Sequence, residues 1–497
     1  MLLAVDAAAQ TAGTETGVVM LPNDQRLRSV VADGSGGHYV AFDSLRNPAD
    51  GASGDVFVQR IGGSAPWSAP VRVSTGVGNA YGALVRRTPS GAIVVYAMTT
   101  GGIAKIQVQR LSPSGAPLWP APKVGPDANP IHDAQSVGDG AYVSFLAPSA
   151  AGYKYAVTRV DETGTFRWSN LDLGADPTSM GAGSYSSGLC VTPAGEAIVV
   201  LPGAQVVAYK FNAAGASSWA RTGVSVTSVP GIKSSISLAC EERGGVQIAW
   251  MDARRAPFDA YGQHLDAGGV PKWTANGLLL SSSAMSNDVV ASDGSGGAFF
   301  GFFHKAPAPS PSPFQIVRAY GAHVASDGSF AFGGGGGALL ETGAYNSREM
   351  RVAADGKGGA FFSWQIDSTA TVTLPPSCLG MRWIDGAGAQ AWGADPVRTA
   401  HCNAYPALQS WVVSEGNVAN FWTDPRATQL DIFRWSNPAA GAKLAPLPAA
   451  PPPAPAPAPP SSSSTPGPIV VKPIVKPVQP PVSPVAPVPP KTPLISR

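Results

Sequence analysis

The most constraining feature of the sequence is a unit of about 50 to 60 residues that recurs along most of the chain. Each copy contains a glycine-rich turn, and Asp33–Gly37, Asp293–Gly297 and Asp355–Gly359 are the clearest examples. The last residues of these turns, used here as anchors, are Gly37, Gly91, Gly140, Gly195, Gly245, Gly297, Gly359 and Asn417. Gly and Asn tolerate the positive φ that tight hairpin turns require. Each turn therefore predicts a β-hairpin.

Three further residues recur at fixed places after the anchor. An aromatic follows five positions later in every unit but the fourth, which has Val200: Phe42, Tyr96, Phe145, Trp250, Phe302, Trp364 and Trp422. A basic residue comes next: Arg60, Arg110, Arg159, Lys210, His264, His323, Arg382 and Arg434. Nine residues beyond it stands a second aromatic in five units: Trp119, Trp168, Trp219, Trp273 and Phe332. This order predicts four antiparallel strands per unit, with the aromatics in the core, as in a propeller blade.

The fold predicted is all-β, a β-propeller of eight four-stranded blades. The eighth unit has its first three strands, Leu408–Ser414, Val418–Trp422 and Asp431–Trp435, but lacks a fourth. An unassigned strand, Gly17–Met20, lies as far before Gly37 as Gly277 lies before Gly297. We therefore expect the N-terminal strand to complete the last blade and close the ring, which removes open sheet edges.

Composition excludes several classes of protein. Charged residues make up 13% of the chain, and 34 Lys and Arg against 32 Asp and Glu leave a net charge of +2. This balance gives no electrostatic basis for binding nucleic acid. The 58 glycines and 48 prolines argue against a coiled coil or helical bundle. No apolar stretch approaches the roughly 20 residues of a membrane helix, so we expect no transmembrane segment.

The two ends differ from the repeats. Residues 1–13 contain the small-residue site Ala7–Ala9 and fit the end of a secretion signal or an ordinary disordered terminus. Residues 14–445 are assigned to the propeller. Residues 446–497 form a Pro-, Ala-, Ser- and Val-rich tract that we expect to be disordered or polyproline II. This tail is interpreted as a spacer, with recognition by a Pro-binding module as the alternative.

The fifth unit carries the clearest family resemblance. It reads Gly244-Gly245, then Ile248–Arg254 with Trp250 and Asp252, then Asp259 and Gln263–Leu265, and finally Gly269 and Trp273. This pattern resembles a repeat common in secreted bacterial β-propeller proteins of largely unassigned function. The resemblance extends over about Gly17–Leu444 and implies architecture without assigning an activity.

The Gly-x-x-x-Trp element is also similar to the repeats of pyrroloquinoline quinone dehydrogenases, which have eight blades. Those enzymes have paired adjacent cysteines and a metal-ligating acidic cluster, and neither has a counterpart in this sequence. We therefore expect no cofactor.

Candidate ligand-face residues occur as acid–arginine pairs after the first aromatic: Asp43 with Arg46, Asp252 with Arg254, and Asp424 with Arg426. An acid opens the third strand of the same units, at Asp55, Asp259 and Asp431. The favoured interpretation is a carboxylate–guanidinium clamp that holds the intervening loop. The alternative is a charged ring that binds a glycan or a cation.

The sequence predicts no catalytic residue and no metal ligand. The repeated basic residue is expected to form an ion pair or to stack on the following Trp, because a catalytic residue is needed only once. The Asp-Gly-Ser-Gly-Gly turns have one acid each, too few for a calcium loop. The six histidines lack metal-ligand spacing. The long loops at 44–54, 305–313 and 367–376 are the expected recognition segments.

Four cysteines are present. Cys378 and Cys402 lie at opposing positions of a predicted hairpin in the seventh blade, which predicts a disulfide. Cys190 and Cys240 occupy equivalent positions in adjacent blades and are expected to be buried free thiols.

The predicted function is that of a non-catalytic secreted or surface-displayed protein. We expect a monomer in an extracellular, periplasmic or cell-surface location of a bacterium, with a protein or glycan partner. Binding is expected on one loop face or in the central channel. A secreted propeller enzyme of the glycosidase or lyase type, and a structural envelope component, remain the alternatives.

Overall fold

The computed structural model describes residues 14–19, 24–45, 54–75, 78–150, 152–168, 171–174, 187–255, 258–282, 284, 289–306, 316–341, 346–367, 377–390, 396–398, 409–414, 417–424 and 431–438. All regular structure in these ranges is β-strand. Within them, no helix is long and apolar enough to cross a membrane. Clustering of contacts divides the chain into Met1–Pro448 and Ala449–Arg497, and every described residue belongs to the first unit.

The described strands form eight antiparallel sheets. The first described strand is β1 (Thr14–Val19). Sheet 1 contains β2 (Gln25–Ala32), β3 (Gly37–Leu45), β4 (Gly54–Gly62) and β5 (Val71–Arg72). Sheet 2 contains β6 (Asn79–Thr88), β7 (Gly91–Thr100), β8 (Ile103–Leu111) and β9 (Lys123–Asp127). Sheet 3 contains β10 (Ile131–Val137), β11 (Gly140–Ser149), β12 (Gly152–Val160) and β13 (Leu171–Asp172).

The next sheets repeat this order. Sheet 4 contains β14 (Gly188–Val191), β15 (Ala197–Leu201), β16 (Val206–Phe211) and β17 (Val224–Thr227). Sheet 5 contains β18 (Lys233–Cys240), β19 (Val246–Asp252), β20 (Asp259–Leu265) and β21 (Leu278–Ser281). Sheet 6 contains β22 (Val289–Ser292), β23 (Ala298–Ala306), β24 (Ile316–Val324) and both β25 (Phe330–Phe332) and β26 (Ala338–Leu339), which pair with β24.

The last two sheets complete the series. Sheet 7 contains β27 (Asn346–Ala354), β28 (Ala360–Asp367), β29 (Ser377–Ile384) and β30 (Val397–Arg398). Sheet 8 contains β31 (Gln409–Ser414), β32 (Asn417–Asp424) and β33 (Asp431–Pro438), with β1 next to β33. The first strand of each sheet contacts the first strand of the next sheet, and β31 contacts β2.

The second strands are buried on both faces because a neighbouring sheet packs against each side. In β7, Val94 and Tyr96 pack into the core shared with sheet 1, whereas Ile93 and Val95 pack into the core shared with sheet 3. Successive side chains of a strand point to opposite faces, so alternate residues contact opposite neighbours. This explains why these strands are nearly continuous apolar runs, since neither face is exposed to water.

The anchor turns are closed by their aspartates. Asp33 Oδ1 accepts hydrogen bonds from the backbone N–H groups of Ser35 and Gly37, at 2.7 and 2.8 Å. Asp293 and Asp355 make the same pair of bonds in their own turns. These contacts confirm the interpretation of the turns as hairpins, because the carboxylate oxygen is used by local backbone donors.

In five units of the described chain, the repeated basic residue connects its sheet to the following one. Arg60 forms an ion pair with Asp33 of its own sheet at 2.8 Å, as expected from the sequence, and Nη1 donates to the Pro113 carbonyl of sheet 2 at 3.1 Å. The bond to the next sheet recurs from Arg110 to Glu162, from Arg159 to Ala213, from Lys210 to Ala267 and between His323 and Gly386. We call this interaction the forward latch.

The second aromatic reinforces the forward latch. Trp219 Nε1 donates to the Ala267 carbonyl at 2.9 Å, and its indole ring packs against Gly269. Gly269 has a φ of 82°, and a Cβ at this position would lie 3.1 Å from the ring. Glycine is therefore required both by the backbone conformation and by the close approach of the indole. Trp219 is therefore packed between sheets 4 and 5.

Strand β1 pairs antiparallel with β33, and Gly17 lies opposite Phe433. The strand spans Thr14–Val19, so it begins three residues before the predicted Gly17, while Met20 lies outside the described residues. Val19 is buried in an apolar cluster with Leu27 of sheet 1 and Phe421 of sheet 8. The N-terminal strand therefore contributes to the core between the first and the last sheet.

The prediction of free thiols at Cys190 and Cys240 is wrong. The two residues form a disulfide with a Cα–Cα distance of 5.7 Å. Cys190 lies in β14 and Cys240 in β18, and these first strands contact each other. In a radial arrangement the first strands converge, so neighbouring sheets are closer here than at their outer strands.

Cys378 is also disulfide-bonded. Its predicted partner, Cys402, lies outside the described residues, so the Cys378–Cys402 pairing stays a prediction.

Candidate functional site

A cavity of about 920 Å³ lies between the first strands of sheets 3, 4 and 5. Its polar lining includes His132 and Asp133 near the start of β10, Ser187 just before β14, and Ser237 of β18. Arg351 of β27 lines the same cavity from sheet 7. Because first strands from separate sheets converge here, we identify this cavity as the central channel of the described part of the molecule.

Strand register places several channel residues at one level. Asp133 lies opposite Ser144, Ser237 opposite Ala249, and Arg351 opposite Ser363. Each of these partners lies four residues after the anchor of its unit. Asp133, Ser237 and Arg351 therefore occupy equivalent positions in sheets 3, 5 and 7.

Three of these first strands contain β-bulges beside the level of Asp133, Ser237 and Arg351. The pairing shifts between Ile131 and Asp133, between Ser234 and Ser237, and between Arg348 and Arg351. A bulge inserts unpaired residues and re-aims the side chains around it. The first strands of sheets 1 and 2 shift at the same place, between Leu27 and Ser29 and between Tyr81 and Leu84, so this irregularity recurs along the repeat.

His132 is held as a neutral imidazole. Its Nδ1 accepts the backbone N–H of Ser187 at 3.1 Å and lies 2.9 Å from the Ser187 hydroxyl. Burial lowers the pKa of His132 to about 4. Since Nδ1 is an acceptor, the proton of the neutral ring is on Nε2, which leaves a hydrogen-bond donor at the cavity.

Asp133 has its charge compensated by its neighbours. Burial raises the pKa of its carboxyl group, while Arg86 of sheet 2, Gln135 and the backbone N–H of Ala134 counteract this by stabilising the carboxylate. The Arg86 Nη2–Asp133 Oδ1 distance is 2.8 Å, and Gln135 Nε2 donates to Oδ2 at 3.1 Å. Arg86 also donates to the Ser29 hydroxyl, which fixes the guanidinium between sheets 1 and 3.

Arg351 is half-buried and differs from Arg86 in its partners. Nη1 donates to the carbonyl oxygen of the adjacent Met350 at 2.8 Å. Burial lowers the pKa of Arg351, and the charge of nearby Glu349 acts in the opposite direction. An arginine remains protonated at neutral pH despite such a shift. Within the described residues, Arg86 forms an ion pair with Asp133, whereas Arg351 forms no ion pair.

No group of three or more His, Cys, Asp or Glu side chains within the described ranges is arranged to hold a metal ion.

The predicted pair Asp252 and Arg254 forms a clamp. Arg254 Nε donates to Asp252 Oδ2 at 2.8 Å, and the backbone N–H of Arg254 donates to Oδ1 at 2.8 Å. Trp250 Nε1 donates to Oδ2 at 3.1 Å, and Lys233 Nζ lies 3.3 Å from Oδ1. The Arg254 guanidinium also lies 3.8 Å from the centre of the Tyr261 ring. These contacts account for the acid and the arginine as loop-holding groups.

The other predicted ligand-face residues are only partly described. Asp43 is buried and is paired with Arg28, and it also accepts the backbone N–H of Gly82 from sheet 2 at 3.2 Å. Arg46 and Arg426 lie outside the described residues. Asp424 is described through its backbone, which lies opposite Asp431. The loops predicted for recognition lie largely outside the described residues as well.

Sequence reasoning missed the channel residues. His132, Ser187, Ser237 and Arg351 each lie eight residues before the anchor of their unit. The same position holds Ser29, Ala83, Val289 and Gln409 in the other units. This variation among otherwise regular repeats is the signal that would have identified the channel position.

The strand topology defines the class of the molecule. Four-stranded antiparallel sheets follow one another with their first strands in contact, which is the arrangement of β-propeller blades. The chain is thus an all-β repeat protein of the propeller type, and its strongest candidate site is the polar channel between the first strands.

Comparisons with known proteins do not define a family. No protein-family model and no curated protein sequence matches the chain. Among solved structures, oligopeptidase B from Leishmania major is similar with 10% identity over 81% of this chain and 54% of that chain, at a TM-score of 0.46. The β-propeller domain of the Trilobed protease from Pyrococcus furiosus matches with 10% identity over 84% and 94%, at a TM-score of 0.42. Penicillium chrysogenum α-L-arabinanase matches with 8% identity over 86% and 96%, at a TM-score of 0.35. Similarities this low carry no argument on activity or ligand.

Proposed function

We propose that the protein is a secreted or surface-displayed β-propeller that binds a carbohydrate in its central channel without transforming it. The observation that supports this proposal is the polar lining of the channel cavity. His132 offers an N–H donor, Gln135 an amide, and Ser136, Ser187 and Ser237 hydroxyl groups. Sugar hydroxyls both donate and accept hydrogen bonds, so they are matched by a lining of this kind.

The carboxylates of the channel favour binding over hydrolysis. Most glycoside hydrolases use two carboxyl groups about 5 to 9.5 Å apart. Asp133 is the one carboxylate among the described residues that line the cavity, and it is paired with Arg86. A paired carboxylate with no second acid beside it supports a role in shaping the channel.

Four of the seven large apolar side chains exposed in the described part of the chain lie at one end of the strands, and Leu118, Val124 and Val270 lie toward the other end. Ile103 and Tyr153 begin third strands, Phe258 precedes one, and Ile232 precedes a first strand. In a four-stranded meander these positions share the face on which first strands begin. His132 and Ser187 lie at that end of their strands. Aromatic and aliphatic surfaces there fit the apolar faces of sugar rings.

The channel assignment is tested by blocking the cavity. Ser136→Trp introduces a large ring into the lining, and we expect it to weaken glycan binding at least about 10-fold, a change of 1.4 kcal/mol. Binding to an array of neutral and acidic glycans and calorimetry with the best ligand measure the effect. Val270→Trp is the matched control, because it introduces the same ring at an exposed turn position outside the cavity lining. A Ser136→Trp variant that folds and binds normally contradicts the channel assignment.

We also propose that the ring has eight blades and is closed by β1. The pairing of β1 with β33 and the shared core around Val19 support this proposal. Deletion of residues 1–22 removes an edge strand and its buried contacts, so we expect the melting temperature of the whole ring to fall by several degrees, since about 1 kcal/mol shifts it by roughly 2–4 °C in a large domain. Deletion of residues 1–12 is the matched control. Equal melting of both deletions rules out closure by β1.

The proposed domain boundaries are 14–445 for the propeller and 446–497 for a Pro-rich spacer, with residues 1–13 as a signal remnant or disordered terminus. The Cys190–Cys240 disulfide supports an oxidising compartment such as the periplasm or the cell exterior. Limited proteolysis is expected to remove the spacer rapidly and to leave a folded core, as judged by mass spectrometry. Protection of the 446–497 segment argues against the spacer.

A further inference from the structure

The titratable side chains around the channel differ in how their charges are compensated. Asp133 and Arg86 neutralise each other at 2.8 Å, and His132 is neutral because its pKa is about 4. Arg351 remains as a positive charge in the cavity lining. Among the described residues that line the cavity, Asp133 is paired with Arg86 and Arg351 is paired with no lining carboxylate, while Glu349, two residues before Arg351 and outside the lining, also acts on the charge of Arg351.

Arg351 retains donors for a ligand. Its Nη1 donates a hydrogen bond to the carbonyl oxygen of the preceding residue, Met350. A guanidinium has five N–H donors in a planar fork, which matches the two oxygens of a carboxylate. A half-buried arginine that shares a cavity with hydroxyl groups is suited to bind an anion with hydroxyl groups beside it.

We propose that the channel binds an acidic saccharide and that Arg351 holds its carboxylate. This inference rests on the proposed function, and it adds the class of glycan and the residue that selects it. Ser187 and Ser237 line the same cavity as Arg351 and bind the hydroxyl groups of the sugar, while the Arg351 fork binds the uronate group. A sulfate ester offers similar chemistry, and the experiment separates the two anions.

The test is calorimetric titration of the full-length protein with oligogalacturonate. The same oligosaccharide as its methyl ester is the matched neutral ligand, and a sulfated neutral oligosaccharide tests the other anion. We expect the acid form to bind at least about 10-fold more tightly than the ester, because a hydrogen bond to a charged group contributes more than a neutral one. Arg351→Gln is expected to weaken the acid form about 10- to 100-fold and to leave the ester unchanged.

Lys272→Gln is the control for loss of one positive charge. Lys272 is 47% exposed and pairs with Asp266 at 3.5 Å in a turn away from the channel lining. This variant is expected to bind like the wild type, whereas Arg351→Lys is expected to recover only part of the affinity because it lacks the planar fork.

The outcomes separate the inference from the proposed function. Equal binding of acid and ester, with no effect of Arg351→Gln, overturns the role of Arg351 and leaves the glycan-binding channel intact. Tighter binding of the sulfated ligand than of the uronate overturns the carboxylate assignment. Failure of every oligosaccharide to bind the wild type overturns both proposals.

Discussion

Replacement of Cys190 and Cys240 by alanine is expected to lower the free energy of unfolding by about 4 kcal/mol. The bond closes a segment with a sequence separation of 50, which includes all of sheet 4 after β14 and the first strand of sheet 5. By the chain-entropy model, a closed loop of this size restricts the unfolded chain strongly. The bond also ties together two strands that border the channel.

Denaturant unfolding of the wild type and the double variant measures this effect. A double serine variant is compared with the double alanine variant, because both remove the bond but differ in the polarity of the replacing side chain. A loss of stability common to both variants is assigned to the bond. Non-reducing peptide mapping checks that Cys190 and Cys240 are joined in the wild type. A change in unfolding free energy below about 1 kcal/mol, or alkylation of either cysteine without reductant, contradicts the prediction.

Asp252→Asn is expected to destabilise the protein by about 3–5 kcal/mol. The carboxylate and the Lys233 ammonium group are both fully buried, with side-chain exposures of 0%. Arg254 adds a second cation, and its side chain is 14% exposed. Removing the negative charge leaves two positive groups close together without an anion, and burial makes each of them costly.

The loss of stability in Asp252→Asn is expected to depend on pH. Burial raises the pKa of Asp252, but hydrogen bonds from Arg254 and Trp250 and the charge of Lys233 outweigh it and hold the pKa below its ordinary value of 3.8. A depressed carboxyl pKa stabilises the fold above pH 3.8, and this contribution is lost as the pH falls through the folded-state pKa. The difference in stability between wild type and Asp252→Asn should therefore narrow below pH 3.8.

Urea unfolding between pH 2.5 and 7 measures the difference. Lys272→Gln, which removes an exposed ion pair in the same sheet, is expected to change stability by less than about 1 kcal/mol at any pH. If Asp252→Asn lowers the free energy of unfolding no more than Lys272→Gln does, the buried clamp does not stabilise the fold as proposed.

Much of the fold could be predicted from the sequence because the repeat is regular. The anchors predicted the hairpins. The contact of Trp219 with Gly269 recurs between Trp168 and Gly215 and between Trp273 and Gly328. Sheet 8 was predicted by the same spacing, with β31 beginning at Gln409 against the predicted Leu408. Each of these positions is determined by local turn chemistry or by contacts that recur in every unit.

The channel was not predictable in this way. Arg351 and Ser187 belong to one site only because first strands from different sheets converge, and no local pattern encodes that convergence. The Cys190–Cys240 bond was missed for the same reason, because neighbouring sheets lie closer together at their first strands than at their outer strands. Residues that depart from a repeat are assembled by tertiary geometry, which a single sequence does not specify.

The forward latch connects neighbouring sheets in one direction along the chain. In each instance described, the donor belongs to one sheet and the acceptor carbonyl to the sheet that follows it in the chain. A sheet therefore completes the hydrogen bonds of its basic residue only when the next sheet is in place, although Arg60 and Lys210 also pair with acids of their own sheets. We expect removal of one sheet to leave the basic residue of the preceding sheet without its carbonyl acceptor.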